Sequence, residues 1–286
     1  MAVNAVRPPA FAGMFYPATQ RELLASLDTC FRHAGCAQLP PAVNDDGPRR
    51  ILGLVSPHAG YMYSGAAAAK GYLQLARDGR PDVFVVVGPN HGRSYVNGVQ
   101  TGGWWETPLG RSPIAGDLAT AIAGDLKGFT DGVSGFAGEH SLEVQLPFIQ
   151  YVFGVDTPIV PIMMLDQGGP AADQVGGVLA EHLAGQNAVI VASTDMTHFE
   201  SADYAREQDQ VLIHRMLELD PEGLLRDRLR LDVSMCGYGP VAAMLHAATA
   251  LGATEAEMVD YTNSGVATGS SADVVAYLSL LVRREA

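Results

Sequence analysis

Ile51-Leu-Gly-Leu-Val-Ser-Pro-His-Ala-Gly-Tyr61 and Val83-Phe-Val-Val-Val-Gly-Pro-Asn-His-Gly92 are two apolar runs that each end in a turn containing histidine. An alanine-rich stretch from about Ser64 to Ala76 lies between them and has the composition of a helix. A strand, a helix and a second strand in this order are typical of a right-handed βαβ unit and a parallel sheet. The pair therefore predicts an α/β fold, with both histidines beyond the carboxyl ends of strands.

The alternation of strand and helix patterns continues along the chain. Further strand-like runs lie at 158–163, 189–192, 258–261 and 273–281, and helical patterns lie at 19–33, 113–126, 141–152, 171–184, 203–219 and 239–251. The proline-containing segment 39–49 is predicted as a surface loop. We predict one α/β domain over residues 1–286, with a central mostly parallel or mixed sheet flanked by helices.

Composition excludes several classes of protein. The net charge is −13 and only two of the 286 residues are lysine, which argues against a nucleic-acid surface because phosphate binding draws on clustered basic residues. No apolar run approaches the roughly 20 residues of a membrane span. The segment Met1 to Pro9 lacks the pattern of a secretory signal, and three cysteines match no disulfide framework. We therefore expect a cytoplasmic protein that contacts neither membrane nor nucleic acid.

Three side chains have the chemistry of metal ligands. His58 and His91 each follow the turn-forming residues at a strand end, and such turns hold a side chain in a fixed position. Cys236 precedes an apolar helix, whose amino-terminal dipole is expected to favour a thiolate. Two imidazoles and one thiolate would form a site with open positions for iron, zinc or copper. The alternative is two turn histidines and a small buried cysteine.

Asp195 and His198 are candidates for acid and base chemistry. They are three residues apart beyond the apolar run that ends near Ala192. A nearby carboxylate favours the protonated form of a histidine, which suits proton transfer to or from a substrate. The alternative is that Asp195 caps a helix and His198 is a solvated turn residue.

Two other segments are predicted to contribute to the pocket or to a subunit contact. Glu139-His140-Ser141-Leu142-Glu143 is predicted to begin a helix near the pocket, where His140 contacts substrate or supports a ligand, with a surface role as the alternative. Trp104-Trp105-Glu106 is predicted as an exposed aromatic turn and a candidate subunit contact.

These segments together resemble the Memo family, whose bacterial and archaeal members are often called AmmeMemoRadiSam system protein B. The resemblance covers nearly the full chain and is carried by four motifs: Arg7-Pro-Pro-Ala-Phe-Ala-Gly-Met-Phe-Tyr-Pro17, Glu139-His-Ser-Leu-Glu-Val-Gln-Leu-Pro-Phe148, Ser193-Thr-Asp195 and Cys236-Gly237. The family is similar in fold to class III extradiol dioxygenases, which are non-haem iron enzymes. The resemblance also implies a functional association with radical-SAM and AMMECR-type proteins.

The resemblance implies roles for the residues already named. His58, His91 and Cys236 match metal-binding positions, and Asp195 and His198 match other pocket positions. We predict substrate contacts from Glu139, His140, Phe15 and Tyr61, although Phe15 stands where several family members carry tryptophan. The dioxygenases complete two histidines with a carboxylate, whereas the third candidate ligand here is a thiolate. Ring-cleaving activity therefore cannot be inherited from the fold alone.

Three hypotheses follow from the sequence. The first is a metal-dependent redox or oxygenase-like protein that holds Fe(II), with copper or zinc as alternatives, and acts on a small molecule or peptide. The second is a module that binds a peptide or small ligand without turnover. The third is a hydrolase or other thiol enzyme in which Cys236 is the nucleophile.

Overall fold

A computed structural model describes residues 5–46, 48–92 and 94–285. Residues 1–4, at the start of the segment that lacks a signal-peptide pattern, lie outside these ranges. Within the described ranges, every helix is too short or too polar to cross a bilayer.

Twelve strands are found in the described ranges. In chain order they are β1 (Val6–Arg7), β2 (Ile51–Ser56), β3 (Val83–Pro89), β4 (Asn97–Val99), β5 (Trp104–Thr107), β6 (Gly110–Pro113), β7 (Phe129–Asp131), β8 (Ile159–Met164), β9 (Ala188–Ser193), β10 (His198–Glu200), β11 (Glu255–Asn263) and β12 (Val274–Arg283).

Nine α-helices accompany these strands in the same ranges. They are α1 (Gln20–His33), α2 (Tyr61–Asp78), α3 (Gly116–Asp125), α4 (Leu146–Phe153), α5 (Gly169–Leu183), α6 (Ala202–Leu217), α7 (Pro221–Leu231), α8 (Tyr238–Ala250) and α9 (Gly265–Thr268). Short 3-10 turns cover Val133–Phe136 and Glu143–Gln145.

The central sheet is mixed. Its order is β10-β12-β2-β9-β3-β8-β4-β7, and β11 also pairs with β12 in antiparallel orientation. The four middle strands, β2, β9, β3 and β8, are parallel, and β12 and β4 are antiparallel to their neighbours in that group. All residues of these four strands are buried, which explains why they are continuous apolar runs rather than alternating ones. The predicted fold class, an α/β unit with a mixed sheet flanked by helices, is confirmed.

Helices cover the sheet in two groups. One group contains α1, α2 and α4, which contact one another, and the other contains α3, α5, α7 and α8, which are linked by successive contacts. The contact between α5 and α8 needs glycine, because a Cβ on Gly176 of α5 would lie 2.7 Å from the Cβ of His246 on α8. A single hydrophobic cluster extends from α1 to β12 and holds the strand ends in fixed positions.

The aromatic turn predicted at Trp104-Trp105 is wrong. These residues form β5, which pairs with β1 and β6 in a separate three-stranded sheet. Trp105 is only 1% exposed, and the guanidinium of Arg7 lies 4.3 Å from the centre of its ring. The Arg7 guanidinium and the Trp105 ring therefore bury each other.

The helix predicted from residue 141 begins later than expected. Residues 143–145 form a 3-10 turn, and α4 starts at Leu146 with Pro147 in its first turn. The Glu143 side chain accepts hydrogen bonds from the backbone N–H groups of Ala10 and Phe11, which tie this segment to the chain's amino-terminal region. Those contacts hold residues 139–145 in an irregular path that brings His140 toward the sheet.

Candidate metal centre

The carboxyl ends of the parallel strands bring the predicted turns together. His58 follows β2, His91 follows β3, Asp195 follows β9, and Cys236 lies two residues before the start of α8. Neighbouring strands are in register at this edge, with Ser56 opposite Ser193. The loops that leave the strands therefore meet at one place, as is usual at this edge of an open α/β sheet.

Three imidazoles form a compact cluster. One ring nitrogen from each of His58, His91 and His140 lies within 4.8 Å of the others, an arrangement that could hold a metal ion. The ring centres of His91 and His140 are 4.5 Å apart, and that of His58 is 5.4 and 5.2 Å from them, respectively. His140 was predicted as a substrate contact, and the structure adds it to the group of potential metal ligands.

Glu139 fixes the orientation of His91. Its carboxylate accepts hydrogen bonds from the backbone N–H of His91 at 2.7 Å and from the backbone N–H of Ser141 at 2.8 Å. The same carboxylate lies 2.8 Å from Nδ1 of His91. Burial by itself raises the pKa of Glu139, but the hydrogen bonds and charge of His91 outweigh it and lower the pKa to about 2. The ionised carboxylate therefore leaves Nε2 of His91 as the nitrogen available to a ligand.

Burial and hydrogen bonds fix both the backbone and the ring of His58. Its side chain is buried, its backbone N–H donates to Oδ1 of Asp195 at 2.8 Å, and its Nδ1 lies 2.9 Å from Oγ of Ser193. Burial, with a further contribution from the neighbouring histidines, holds the pKa of His58 well below its usual value. The imidazole is therefore neutral, which is the form that binds metals.

Cys236 contacts His58 directly. Its Sγ lies 3.1 Å from Nε2 of His58 and accepts a hydrogen bond from the backbone N–H of Asp195 at 3.1 Å. Burial and the charge of Asp195 raise the pKa of the Cys236 thiol. Both effects oppose the thiolate that the dipole of α8 was expected to favour. The assignment of Cys236 as a ligand stays a prediction.

Within the described residues, no hydrogen bond or ion pair joins the side chains of Asp195 and His198. The Asp195 carboxylate accepts hydrogen bonds from the backbone of His58 and Ala59, while the backbone N–H of His198 donates to Oγ of Ser234. Burial raises the pKa of Asp195 to about 7, against the opposing effect of those backbone hydrogen bonds. The expected stabilisation of protonated His198 is also wrong, because burial lowers its pKa. Proton transfer by either residue stays a prediction.

Aromatic residues line one side of the histidine cluster. The ring of Phe15 packs on His140 with 4.4 Å between ring centres, and Phe11 lies 5.5 Å from the same imidazole. Tyr61 lies deeper in the core, where its hydroxyl donates to the carbonyl of Val144 at 2.8 Å. The structure therefore places Phe15 beside the cluster, whereas the hydroxyl of Tyr61 is occupied within the protein.

Sequence reasoning identified His58 and His91 because each follows a recognisable strand. It placed His140 near the pocket but not among the candidate ligands, since no strand precedes His140 and its position depends on contacts distant in sequence. The predicted substrate contacts of Glu139, His140, Phe15 and Tyr61 stay predictions. The carboxylate of Glu139 is nonetheless committed to the backbone and ring of His91.

The fold and this cluster define a class of protein: an α/β protein with a histidine pocket, able to hold a metal ion, at the carboxyl edge of its sheet. A family model described as Memo-like protein matches residues 7–281. The chain belongs to the Memo family.

Relatives match over almost their whole length. A MEMO1 family protein of Methanopyrus kandleri is 42% identical over 283 residues, which cover 97% of this chain and 99% of that protein. MEMO1 family proteins of Pyrobaculum aerophilum and Thermotoga maritima are 40% and 37% identical, over 98% and 96% of this chain and 99% of each relative. The crystal structure of an uncharacterized protein from Escherichia coli K12 shares the fold, with a TM-score of 0.57 and 18% identity. That match covers 82% of this chain and all of the other.

Proposed function

We propose that this chain is a metal-dependent redox or oxygenase-like protein in which His58, His91 and Cys236 hold a transition metal. The observation that carries the proposal is the 3.1 Å distance between Nε2 of His58 and Sγ of Cys236 beside a second, carboxylate-oriented histidine. Two ligands bound to one tetrahedral metal, at about 2.0 and 2.3 Å, lie about 3.5 Å apart. The separation of these two atoms is close to that value.

The donor set fits a redox metal. Imidazole binds iron, copper and zinc, and a thiolate adds a soft, electron-donating ligand. A three-ligand site keeps positions open for a substrate or oxygen, and a metal bound there would supply electron transfer or oxygen activation. Fe(II) is our first candidate, with copper and zinc as alternatives.

The remaining pocket residues act on the substrate in this proposal. His140 and Phe15, whose rings pack on each other, form a wall that a bound small molecule or peptide contacts. His198 transfers a proton to or from the substrate, and Asp195 fixes the His58 turn and provides a second exchangeable proton. On the family resemblance, we also propose a functional association with radical-SAM and AMMECR-type proteins.

A thiol enzyme is the second candidate, because the same 3.1 Å contact is also the geometry of a Cys–His pair. In that case His58 would take the Cys236 proton and the sulfur would attack an electrophilic substrate. Alkylation of Cys236 distinguishes the metal-dependent protein from the thiol enzyme. A sulfur bound to metal is protected from iodoacetamide, whereas rapid, stoichiometric alkylation of Cys236 in metal-loaded protein would favour the thiol enzyme.

Elemental analysis of protein purified without oxygen tests the proposal. We expect near-stoichiometric metal in the wild type and its loss in His58→Ala, His91→Ala and Cys236→Ala. The control is His214→Ala, which removes an exposed histidine on α6 and should leave metal content unchanged. A wild-type protein that contains no metal and takes up no added Fe(II), Cu(I) or Zn(II) would refute the proposal.

A further inference from the structure

Ser193 lies behind the pocket and contacts the ring nitrogen of His58 that faces away from Cys236. It is the last residue of β9, is fully buried, and has its Oγ 2.9 Å from Nδ1 of His58. Neither proposed function involves this hydroxyl. The hydrogen bonds around it nevertheless determine which nitrogen of His58 carries the proton.

The hydroxyl proton of Ser193 is directed to a carbonyl. Oγ of Ser193 lies 2.7 Å from the carbonyl oxygen of Ser141, which can only accept a hydrogen bond. A second partner is Nε2 of Gln145, which donates to the same Oγ at 2.8 Å. A serine hydroxyl has one proton and two acceptor sites, so the one acceptor site left can only receive a proton from Nδ1 of His58.

The nitrogen and oxygen of the Gln145 side-chain amide cannot be exchanged, so Gln145 remains a donor to Ser193. Its Nε2 also lies 3.0 Å from the carbonyl oxygen of Pro57, which requires a donor. Its Oε1 accepts from the hydroxyl of Tyr72 at 3.1 Å. The Pro57 carbonyl therefore fixes the amide orientation, since a tyrosine hydroxyl could also accept, and the three groups around Ser193 have consistent roles.

We infer that Ser193 is a positioning residue that holds His58 as the Nδ1–H tautomer, with the lone pair of Nε2 directed at the metal pocket. Nε2 is the nitrogen 3.1 Å from Sγ of Cys236, so it already faces the other candidate ligand. A neutral imidazole with its proton on Nε2 could not bind a metal through that atom. The significance of the tautomer for metal binding rests on the proposed function, whereas the tautomer itself does not.

Nitrogen-15 NMR of metal-free protein tests the inference directly. The two ring nitrogens of a neutral histidine have distinct shifts, and the His58→Ala spectrum identifies the signals that belong to His58. We expect the wild type to show a protonated Nδ1 and an unprotonated Nε2. A wild type in which His58 carries its proton mainly on Nε2 would overturn the inference, even if the protein binds metal.

Two variants test whether Ser193 is responsible. Ser193→Ala removes the acceptor, and we expect a mixture of both tautomers and a roughly 10- to 100-fold weaker affinity for Zn(II). Ser56→Ala is the matched control, because Ser56 is the register partner of Ser193 on β2 and its buried Oγ has no hydrogen-bond partner among the described residues. We expect the control to retain the wild-type tautomer.

Folding and metal binding are separated in the same experiment. Backbone NMR spectra of both variants establish whether each is folded before the tautomer is measured. If folded Ser193→Ala keeps the pure Nδ1–H tautomer, the positioning role of Ser193 is refuted. Failure of the proposed function would appear elsewhere, as absence of Zn(II) binding by a wild type that has the expected tautomer.

Discussion

Phe199 has a strained backbone beside the pocket. Its φ is +60°, a left-handed conformation that costs non-glycine residues roughly 1–2 kcal/mol, and its side chain is 75% exposed. Removing this exposed ring would lose little packing, so buried contacts of the side chain do not compensate for the backbone strain. It lies between His198 and Glu200 in β10, where the pairing with β12 is irregular. Strain of this kind often accompanies a functional position.

Phe199→Gly should therefore stabilise the protein. Glycine adopts positive φ freely but gives up more chain entropy on folding, so we expect the free energy of unfolding to rise by about 0.5–1 kcal/mol. Urea denaturation measures this change. Phe199→Ala removes the ring but keeps a Cβ, and it should leave stability nearly unchanged. Equal stabilisation by alanine and glycine would show that the exposed ring, not the backbone, is unfavourable.

The three histidines of the cluster differed in how well sequence could predict them. His58 and His91 follow apolar strands and tight turns, and this local pattern places them at the sheet edge. His140 depends on the Glu139 carboxylate, which binds His91 from a segment 48 residues away along the chain. A contact of that separation leaves no periodic pattern in the sequence. Motif resemblance indicated that the segment was important, but not that its imidazole joined the other two.

At the scale of elements, hydrogen bonds and an ion pair of Glu143 hold the amino-terminal segment against the pocket. Its buried carboxylate pairs with Arg7 and accepts hydrogen bonds from the backbone of Ala10 and Phe11 and from the hydroxyl of Tyr16. The segment held in this way includes Phe15, whose ring packs on His140. The carboxylate from the turn before α4 therefore contributes to fixing the position of the aromatic wall.

Glu143→Gln should destabilise the protein strongly. An amide cannot accept all of these hydrogen bonds, and it leaves Arg7 buried without a charged partner, at a cost of about 3 kcal/mol or more. The control is Glu106→Gln, which removes a partly exposed pairing with Arg111 and should cost under about 1 kcal/mol. Chemical denaturation measures the free energy of unfolding of both variants. Similar small decreases in the free energy of unfolding of both variants would contradict the role of Glu143 in holding the amino-terminal segment.

The main elements of the fold were predictable, and the small ones were not. The buried strands β2, β3, β8 and β9 are continuous apolar runs, so their sequence alone indicates them. β5 and β6 were missed because each spans only four residues, they contain glycine, proline and charged residues, and Trp105 is buried by Arg7 and Phe136 from other segments. α7 was also missed because it is rich in arginine and has few apolar residues, although Asp220 followed by Pro221 is a favourable helix start.

At the scale of the whole molecule, the pocket joins segments from most of the chain. His58, His91, Asp195 and Cys236 enter from different crossovers, and the strands beneath them belong to one core. An ion held by several of these loops binds the folded state and has no preformed site in the unfolded chain. Metal binding is therefore expected to stabilise the entire fold.

Thermal or chemical unfolding with added Zn(II) measures this linkage. At a free metal concentration 100 times the dissociation constant, the free energy of unfolding should increase by about 2.7 kcal/mol. His58→Ala should show little or no increase, whereas His214→Ala should behave like the wild type. An equal increase in wild type and His58→Ala would mean that zinc stabilises the protein from another site.

X-ray absorption of the Zn(II)-loaded protein tests the central claim most directly, because it reports which atoms surround the metal. We expect one sulfur at about 2.3 Å together with nitrogen at about 2.0–2.1 Å, and loss of the sulfur signal in Cys236→Ser. A shell of nitrogen and oxygen without sulfur in the wild type would contradict the ligand set of His58, His91 and Cys236. It would indicate instead that His140 completes a three-histidine site.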